Sequence, residues 1–482
     1  MQRPRAEDVI QAELFAHGVA AHGLAVSNPA SGAVIATVRS WSAAEVEALV
    51  PVVDMAGRAW TARTAKDRAV ILRRWFDLML AHKDALAAIC TAECGKPLAE
   101  SAGEVVYAAG FIEWYAEEGK RIYGEITPTF APDKRVLTLT QGIGTTAAIT
   151  PWNFPIAMIT RKVGPALAAG CPMILKPAEA TPLCALALEY LALQAGLPEN
   201  LFRVVPTNDP VGVGKLLCSH PVIRKLSFTG STAVGKLLLE QCAGTVKRTS
   251  MELGGNAPFI VFDDADLDKA IDGIMVAKFR NAGQTCVCAN RILVQDGIYD
   301  AFLARFVRRV AALRLGDGAD PETQIGPLID RRAVAKVRSL IDGAVAEGAS
   351  LATGGVSHPA GENFVAPTIL TGVTPDMDIA RSEIFGPVAS VIRFATEAEA
   401  VAIANDTPYG LAAYIYASGM ARIWRVMEQL EYGIIGVNEG VISTEVAPFG
   451  GMKESGLGRE GSRHGITDYL ELKYVLLGGI AA

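Results

Sequence analysis

The 482-residue chain predicts an α/β architecture in which helices flank open parallel sheets. Three observations carry that expectation. The chain exceeds the size at which one hydrophobic core stops growing, so it divides into packed lobes with room for a site between them. Half of its residues are hydrophobic, which is enough to fill such cores. From Thr146 onward, short β-type runs alternate with helical stretches, and repeated units of this kind place strands side by side in one direction.

Taken in order, residues from about 40 to 120 mix apolar and polar positions at helical spacing, as in Ala65, Arg68, Ala69, Ile71, Leu72, Trp75, Phe76, Leu78, Met79 and Leu80, so amphipathic helices open the chain. Around Arg121 to Gln141, the run Thr-Pro-Thr-Phe-Ala-Pro forms a turn between two extended pieces, which reads as a projecting hairpin. Strands then follow at Thr146–Ile149, Met173–Leu175, Phe202–Val205, Lys225–Phe228 and Arg248–Met251. Between and after them, helices begin near Ala157, Thr181, Val211 and Ser231. A second α/β lobe starts after Asp263, with helices at Ala270–Phe279 and near Arg422–Leu430 and a last strand at Tyr469–Leu477.

A formal charge of −6 offers no basic field for nucleic acid or an anionic membrane surface. Apolar runs are broken well short of the roughly 20 residues of a membrane span. The opening Met-Gln-Arg-Pro-Arg-Ala-Glu-Asp lacks the apolar core of a signal peptide, so a cytoplasmic location is expected. The eight cysteines show no paired C-x-x-C metal spacing and are expected as free thiols, with no metal bound.

Ligands of parallel sheets bind beyond the carboxyl ends of the strands. There the sequence places Thr150-Pro151-Trp152-Asn153, Lys176-Pro177-Ala178-Glu179, Thr229-Gly230-Ser231 and Glu252-Leu253-Gly254-Gly255. Cys286 follows Gly283-Gln284-Thr285 just after a helix, where glycine lets the backbone bring a side chain close to a ligand. A cysteine among polar groups at an element end can be held as the reactive thiolate.

Met251-Glu252-Leu253-Gly254-Gly255-Asn256 and Phe279-Arg280-Asn281-Ala282-Gly283-Gln284-Thr285-Cys286 resemble the two signature stretches of the aldehyde dehydrogenase superfamily. Pro151-Trp152-Asn153-Phe154-Pro155, Phe228-Thr229-Gly230-Ser231, Glu383-Ile384-Phe385-Gly386-Pro387 and Pro448-Phe449-Gly450-Gly451 extend the resemblance, in the family's order, from about residue 140 onward. It implies a Rossmann-type cofactor domain (1–120 and 142–252), a catalytic α/β domain (253–448) and oligomerisation pieces (121–141 and 449–482). A homodimer or homotetramer is the corresponding expectation.

The chemistry implied is nucleophilic attack by Cys286 on an aldehyde, with the Asn153 amide and the Cys286 N–H as oxyanion donors, each worth about 3–4 kcal/mol of barrier. Glu252 then activates water to hydrolyse a thioester. Lys162 is left with two readings, orienting Asn153 or relaying protons, beside the plain one of a solvated helix lysine. The resemblance assigns Thr150, Pro151, Trp152, Lys176, Glu179, Gly230, Ser231, Glu383 and Phe385 to the dinucleotide. No G-x-G-x-x-G joins the first strand and helix; the glycine-bearing turn Gly230–Gly235 supplies the helix start for a phosphate instead. A carboxylate at Glu179 accepts ribose hydroxyls and repels a 2′-phosphate, which favours NAD over NADP.

Met158-Ile159-Thr160-Arg161-Lys162, Lys278-Phe279-Arg280-Asn281 and Gly436 to Glu445 resemble succinate-semialdehyde dehydrogenases. Arg161, Arg280 and Ser443 then match residues that hold a carboxylate remote from the aldehyde, a task suited to the planar guanidinium fork. Glutarate semialdehyde differs by one methylene, worth about 1–3 kcal/mol, and stays open, as does an uncharged aldehyde with structural arginines. A non-catalytic binding protein is disfavoured by the joint presence of Cys286, Glu252 and Asn153. Cys288 has two readings, a redox partner of Cys286 or a packed thiol.

Overall fold

The computed structural model describes residues 19–356 and 360–480; the N-terminal stretch examined for a leader lies outside them. Helices Ala43–Thr61, Ala65–Ala81, Lys83–Cys94 and Leu98–Glu118 fill the region expected to be helical. They do not open the described chain, however. An antiparallel pair, Val19–Ser27 with Val34–Val38, precedes them, joined by the turn formers Asn28-Pro29-Ala30-Ser31-Gly32.

The first parallel sheet runs in the order Gly456–Leu457, Arg248–Glu252, Lys225–Thr229, Thr146–Ile149, Met173–Lys176, Phe202–Val204. All neighbours are parallel except Gly456–Leu457, which returns antiparallel along Arg248–Glu252. Its interior strands are buried on both faces, as a sheet covered by helices requires. The four N-terminal helices belong to this lobe: Trp60, Trp75, Phe111 and Tyr115 share one core with Leu167, Leu175 and Leu188.

The second sheet runs Ser350–Thr353, Thr368–Thr371, Val388–Phe394, Ala289–Gln295, Ala257–Val261, Ala412–Tyr416, Ile434–Val437, parallel apart from its first strand. Its core is separate and draws on Phe259, Phe302, Ile292 and Tyr414. Glu125–Thr127, Arg135–Gly142 and Leu470–Leu477 make a three-stranded antiparallel sheet. Of the C-terminal stretch grouped with the hairpin, Leu470–Leu477 pairs with it, whereas Gly456–Leu457 extends the first parallel sheet. No described helix is long and apolar enough to cross a membrane.

Candidate active site

In the first sheet Thr146–Ile149 lies beside Lys225–Thr229; later strands are added outward from each, so the strand order reverses between these two. That reversal leaves a crevice at the carboxyl ends, where such sheets bind ligands. A cavity of about 260 Å³ opens there, lined among others by Trp152, Asn153, Gly230, Cys286, Glu383 and Phe385. Residues distant in sequence thus meet in one space.

Cys286 reaches the cavity because the chain bends sharply after helix Leu267–Phe279. Asn281 and Ala282 take the left-handed region at φ 50° and 54°, a costly state for residues with a Cβ and one that persists only where surroundings enforce it. Gly255 shows why glycine follows Glu252: a Cβ there would lie 2.3 Å from the Cys286 carbonyl oxygen. The stretch after Glu252 therefore passes directly against the Cys286 backbone. Burial pushes the Cys286 thiol up to about 12; Arg161 and Arg280 pull it down, Glu383 and Glu252 push it further up. Glu252 is 2% exposed, and neither carboxyl oxygen has a hydrogen-bond partner among the described residues. Burial first, then the nearby Glu460, raise it well above the ordinary carboxylate value.

Asn153 is buried at the end of the Thr146–Ile149 strand, with Nδ2 donating to the Gln284 carbonyl at 3.0 Å, two residues before Cys286. Lys162 does not orient it. Its Nζ, fully buried, donates to Ser227 Oγ at 3.0 Å and pairs with Glu460, so the solvated-lysine reading also falls. The groups that do hold the Asn153 peptide are Lys96 Nζ at 2.7 Å and Asn281 Nδ2 at 3.0 Å, both on its carbonyl oxygen.

Glu460 was invisible in the sequence, where Gly458-Arg459-Glu460-Gly461 reads as a polar loop. In the structure it accepts from Arg161 Nε at 2.5 Å and from Lys162, and burial that would raise its carboxyl is overcome by those two cations. Arg161 is thus an ion-pair member, yet the pair leaves its buried Nη2 without a partner among the described residues. Tyr107, also missed, carries a buried hydroxyl that likewise has no partner among the described residues, subject to the charges of Arg161 and Arg280. Arg280 is half-buried, 5.2 Å from the Phe154 ring centroid. Ser443 is half-buried and makes no hydrogen bond to either arginine among the described residues. Its loop packs on the Tyr107 helix at Gly110, where an added Cβ would lie 3.3 Å from Glu445.

At the far side of the cavity, helix Thr232–Ala243 begins with Ser231 capping Val234 N at 3.4 Å. Its first turn offers N–H groups and a positive dipole end, and Thr229 Oγ1 just before it is buried with no partner. Lys176 pairs with the part-exposed Glu179, and Thr150 N bonds to Lys176 O at 3.1 Å, tying the two strand ends together. Glu383 accepts the Gly255 N–H at 2.9 Å, and burial raises its carboxyl to about 7. Phe385 is held at φ 57° with its ring edge-on to Trp152, centroids 5.7 Å apart. A helix start for phosphate, a lone hydroxyl, a carboxylate and an aromatic wall in one crevice fit a nicotinamide dinucleotide.

The aldehyde dehydrogenase family matches residues 16–475. The chain belongs to that family. It is 58% identical over 453 residues to the NADP-dependent succinate-semialdehyde dehydrogenase GabD of Escherichia coli, covering 94% of each chain. Glutarate-semialdehyde dehydrogenase of Pseudomonas aeruginosa is 57% identical, again over 94% of each. The solved structure of an E. coli NADP-dependent enzyme superposes with a TM-score of 0.94 at 57% identity, covering 95% of both chains. As an aldehyde dehydrogenase the protein uses a nicotinamide dinucleotide to oxidise a small aldehyde. Cys286 and Cys288 are both free thiols; Cys288 is buried with its sulfur 3.2 Å from Lys278 Nζ and 3.5 Å from the Lys278 carbonyl.

Proposed function

We propose that the chain oxidises succinate semialdehyde to succinate. One observation supports an acid-bearing aldehyde above all: Arg161 presents a buried guanidinium nitrogen with no partner, close enough to Cys286 to lower its thiol. Glu460 neutralises one edge of the guanidinium and leaves the other edge for a carboxylate. Tyr107 and Arg280 stand with it, and Ser443 completes the set from the loop packed on the Tyr107 helix. An apolar aldehyde would leave the buried Arg161 Nη2 and Tyr107 hydroxyl unpaired, at a cost of about 1–3 kcal/mol for each.

In this reading the Cys286 sulfur adds to the aldehyde carbon, and the oxyanion accepts from Asn153 Nδ2 and the Cys286 N–H. The nicotinamide, when bound, supplies a hydride acceptor. Glu252 holds the proton taken from the water that hydrolyses the Cys286 thioester. Thr150, Pro151, Trp152, Lys176, Glu179, Gly230, Ser231, Glu383 and Phe385 would hold the dinucleotide. A Glu179 carboxylate favours NAD, while its ion pair with Lys176 softens the repulsion of a 2′-phosphate and leaves NADP usable.

The exposed apolar residues of the three-stranded sheet, Ile126 at 77% and Leu472 at 74% among them, suit pairing with further copies in a cytoplasmic homo-oligomer. Steady-state kinetics with succinate semialdehyde, glutarate semialdehyde and butyraldehyde, each with NAD and NADP, test the whole reading. We expect the highest kcat/KM for succinate semialdehyde with NAD. A butyraldehyde value equal to those of both acids would reject the carboxylate site.

A further inference from the structure

Lys96 is 1% exposed, yet it does not line the cavity. It follows Gly95, whose φ of 85° ends helix Lys83–Cys94 and turns the chain into Leu98–Glu118. Its ammonium pairs with Glu104, itself buried one helix later, donates to the Asn153 carbonyl at 2.7 Å and stands 3.9 Å from the Phe154 ring centroid. The other Glu104 oxygen accepts the N–H groups of Ile156 at 2.8 Å and Ala157 at 3.1 Å. Those groups open helix Ala157–Ala169, which has no side-chain cap of its own and carries Arg161 and Lys162. One buried ion pair therefore grips both ends of the short loop 153–157.

Apolar residues of similar volume commonly serve stability as well as a buried pair does, because desolvating two charges is expensive. What the pair adds is directional hold on one peptide. We infer that Lys96 and Glu104 are positioning residues that fix the Asn153 amide against Cys286 and, through the same loop, the start of the Arg161 helix. This rests on Asn153 as an oxyanion donor, so the test must separate the two ideas.

The full-length enzyme is assayed with 4-nitrophenyl acetate, which needs no nicotinamide. The Cys286 thiol gives up its proton to solvent as its sulfur bonds to the acetyl carbon, the oxyanion so formed collapses to the thioester carbonyl, and 4-nitrophenolate leaves with the electrons of the broken C–O bond; water then hydrolyses the thioester, returning its proton to the sulfur and releasing acetate and a proton. The rate of the first nitrophenolate burst is compared in the parent, Asn153→Ala, Lys96→Met and the double variant. Asn153→Ala is expected to lose about 10²-fold, the effect of removing one oxyanion donor. Lys96→Met is expected to lose about 10- to 10²-fold through misplacement of that donor.

In the double variant Lys96→Met should cost no more than about threefold beyond Asn153→Ala, since the amide it positions is gone. An equal fold-loss in both backgrounds marks a general structural role and overturns the clamp. An unchanged burst in Lys96→Met overturns it too. An unchanged burst in Asn153→Ala overturns the oxyanion reading, and the clamp with it. Glu104→Gln, which keeps the volume and removes the charge, runs the same cycle if Lys96→Met fails to fold.

Discussion

Glu252 shows how much of a residue's chemistry is set by neighbours that its own motif does not contain. A base must be ionised, and both burial and Glu460 work against that, so turnover should fall as pH drops below the raised pKa of Glu252. Removing the nearby negative charge lowers that pKa. Glu460→Gln is therefore expected to shift the acidic limb of a thioester-hydrolysis profile to lower pH, and an unmoved limb would disprove the coupling. Glu252→Gln should keep the first turnover of NADH while cutting the steady state by about 10²-fold or more, read as a burst with little after it. Arg161→Ala should raise the KM for succinate semialdehyde by about 30-fold or more relative to any change in that for butyraldehyde, equivalent to about 2 kcal/mol for a lost desolvated contact. Cys286, Glu252 and Asn153 were legible as candidates because each sits in a motif at a strand or helix end. Lys96, Glu104, Glu460 and Tyr107 were not, because a lysine after a helix-ending glycine or a glutamate in a polar loop reads as surface until tertiary contacts bury it.

Elements are tied together by the same device used twice. Helices Ala157–Ala169 and Pro182–Gln194 both lack side-chain caps of their own, and each has its first N–H groups satisfied from another helix. Glu104 serves the first, and Glu93 serves the second through Leu183 N at 2.8 Å and Cys184 N at 2.9 Å. Glu93→Ala would orphan two buried donors, and a loss of about 2–4 kcal/mol in chemical unfolding is expected. Burial outweighs those bonds and raises the Glu93 carboxyl from 4.5 to about 8. The folded protein thus keeps a proton that the unfolded chain releases near 4.5, and this contribution to stability fades as pH rises from there through about 8. Glu93→Gln should flatten that slope in unfolding measured at pH 5 and pH 8.5. The parallel strands of the first lobe were readable within a residue or two, since period and turn residues are local signals. Capping across 52 to 91 residues leaves no local signal, and the early strands Val19–Ser27 and Val34–Val38 were overshadowed by the helical pattern behind them.

At the scale of the molecule, the three buried cores of the described residues and the three-stranded sheet leave a ligand crevice in one place and an exposed apolar face in another. A charge placed on that face, Leu472→Glu, should shift sedimentation toward the monomer while thermal unfolding of each lobe changes little. The return of Gly456–Leu457 to the first sheet has a consequence for how the chain comes into being. Thr146–Ile149, Lys225–Thr229 and the helix bearing Arg161 and Lys162 leave the ribosome long before Glu460 does. Until then two cations destined for the interior lack the carboxylate they pair with, which favours keeping that helix in contact with water or with a chaperone. The last piece of the sheet to be made is the one that allows the site to dry.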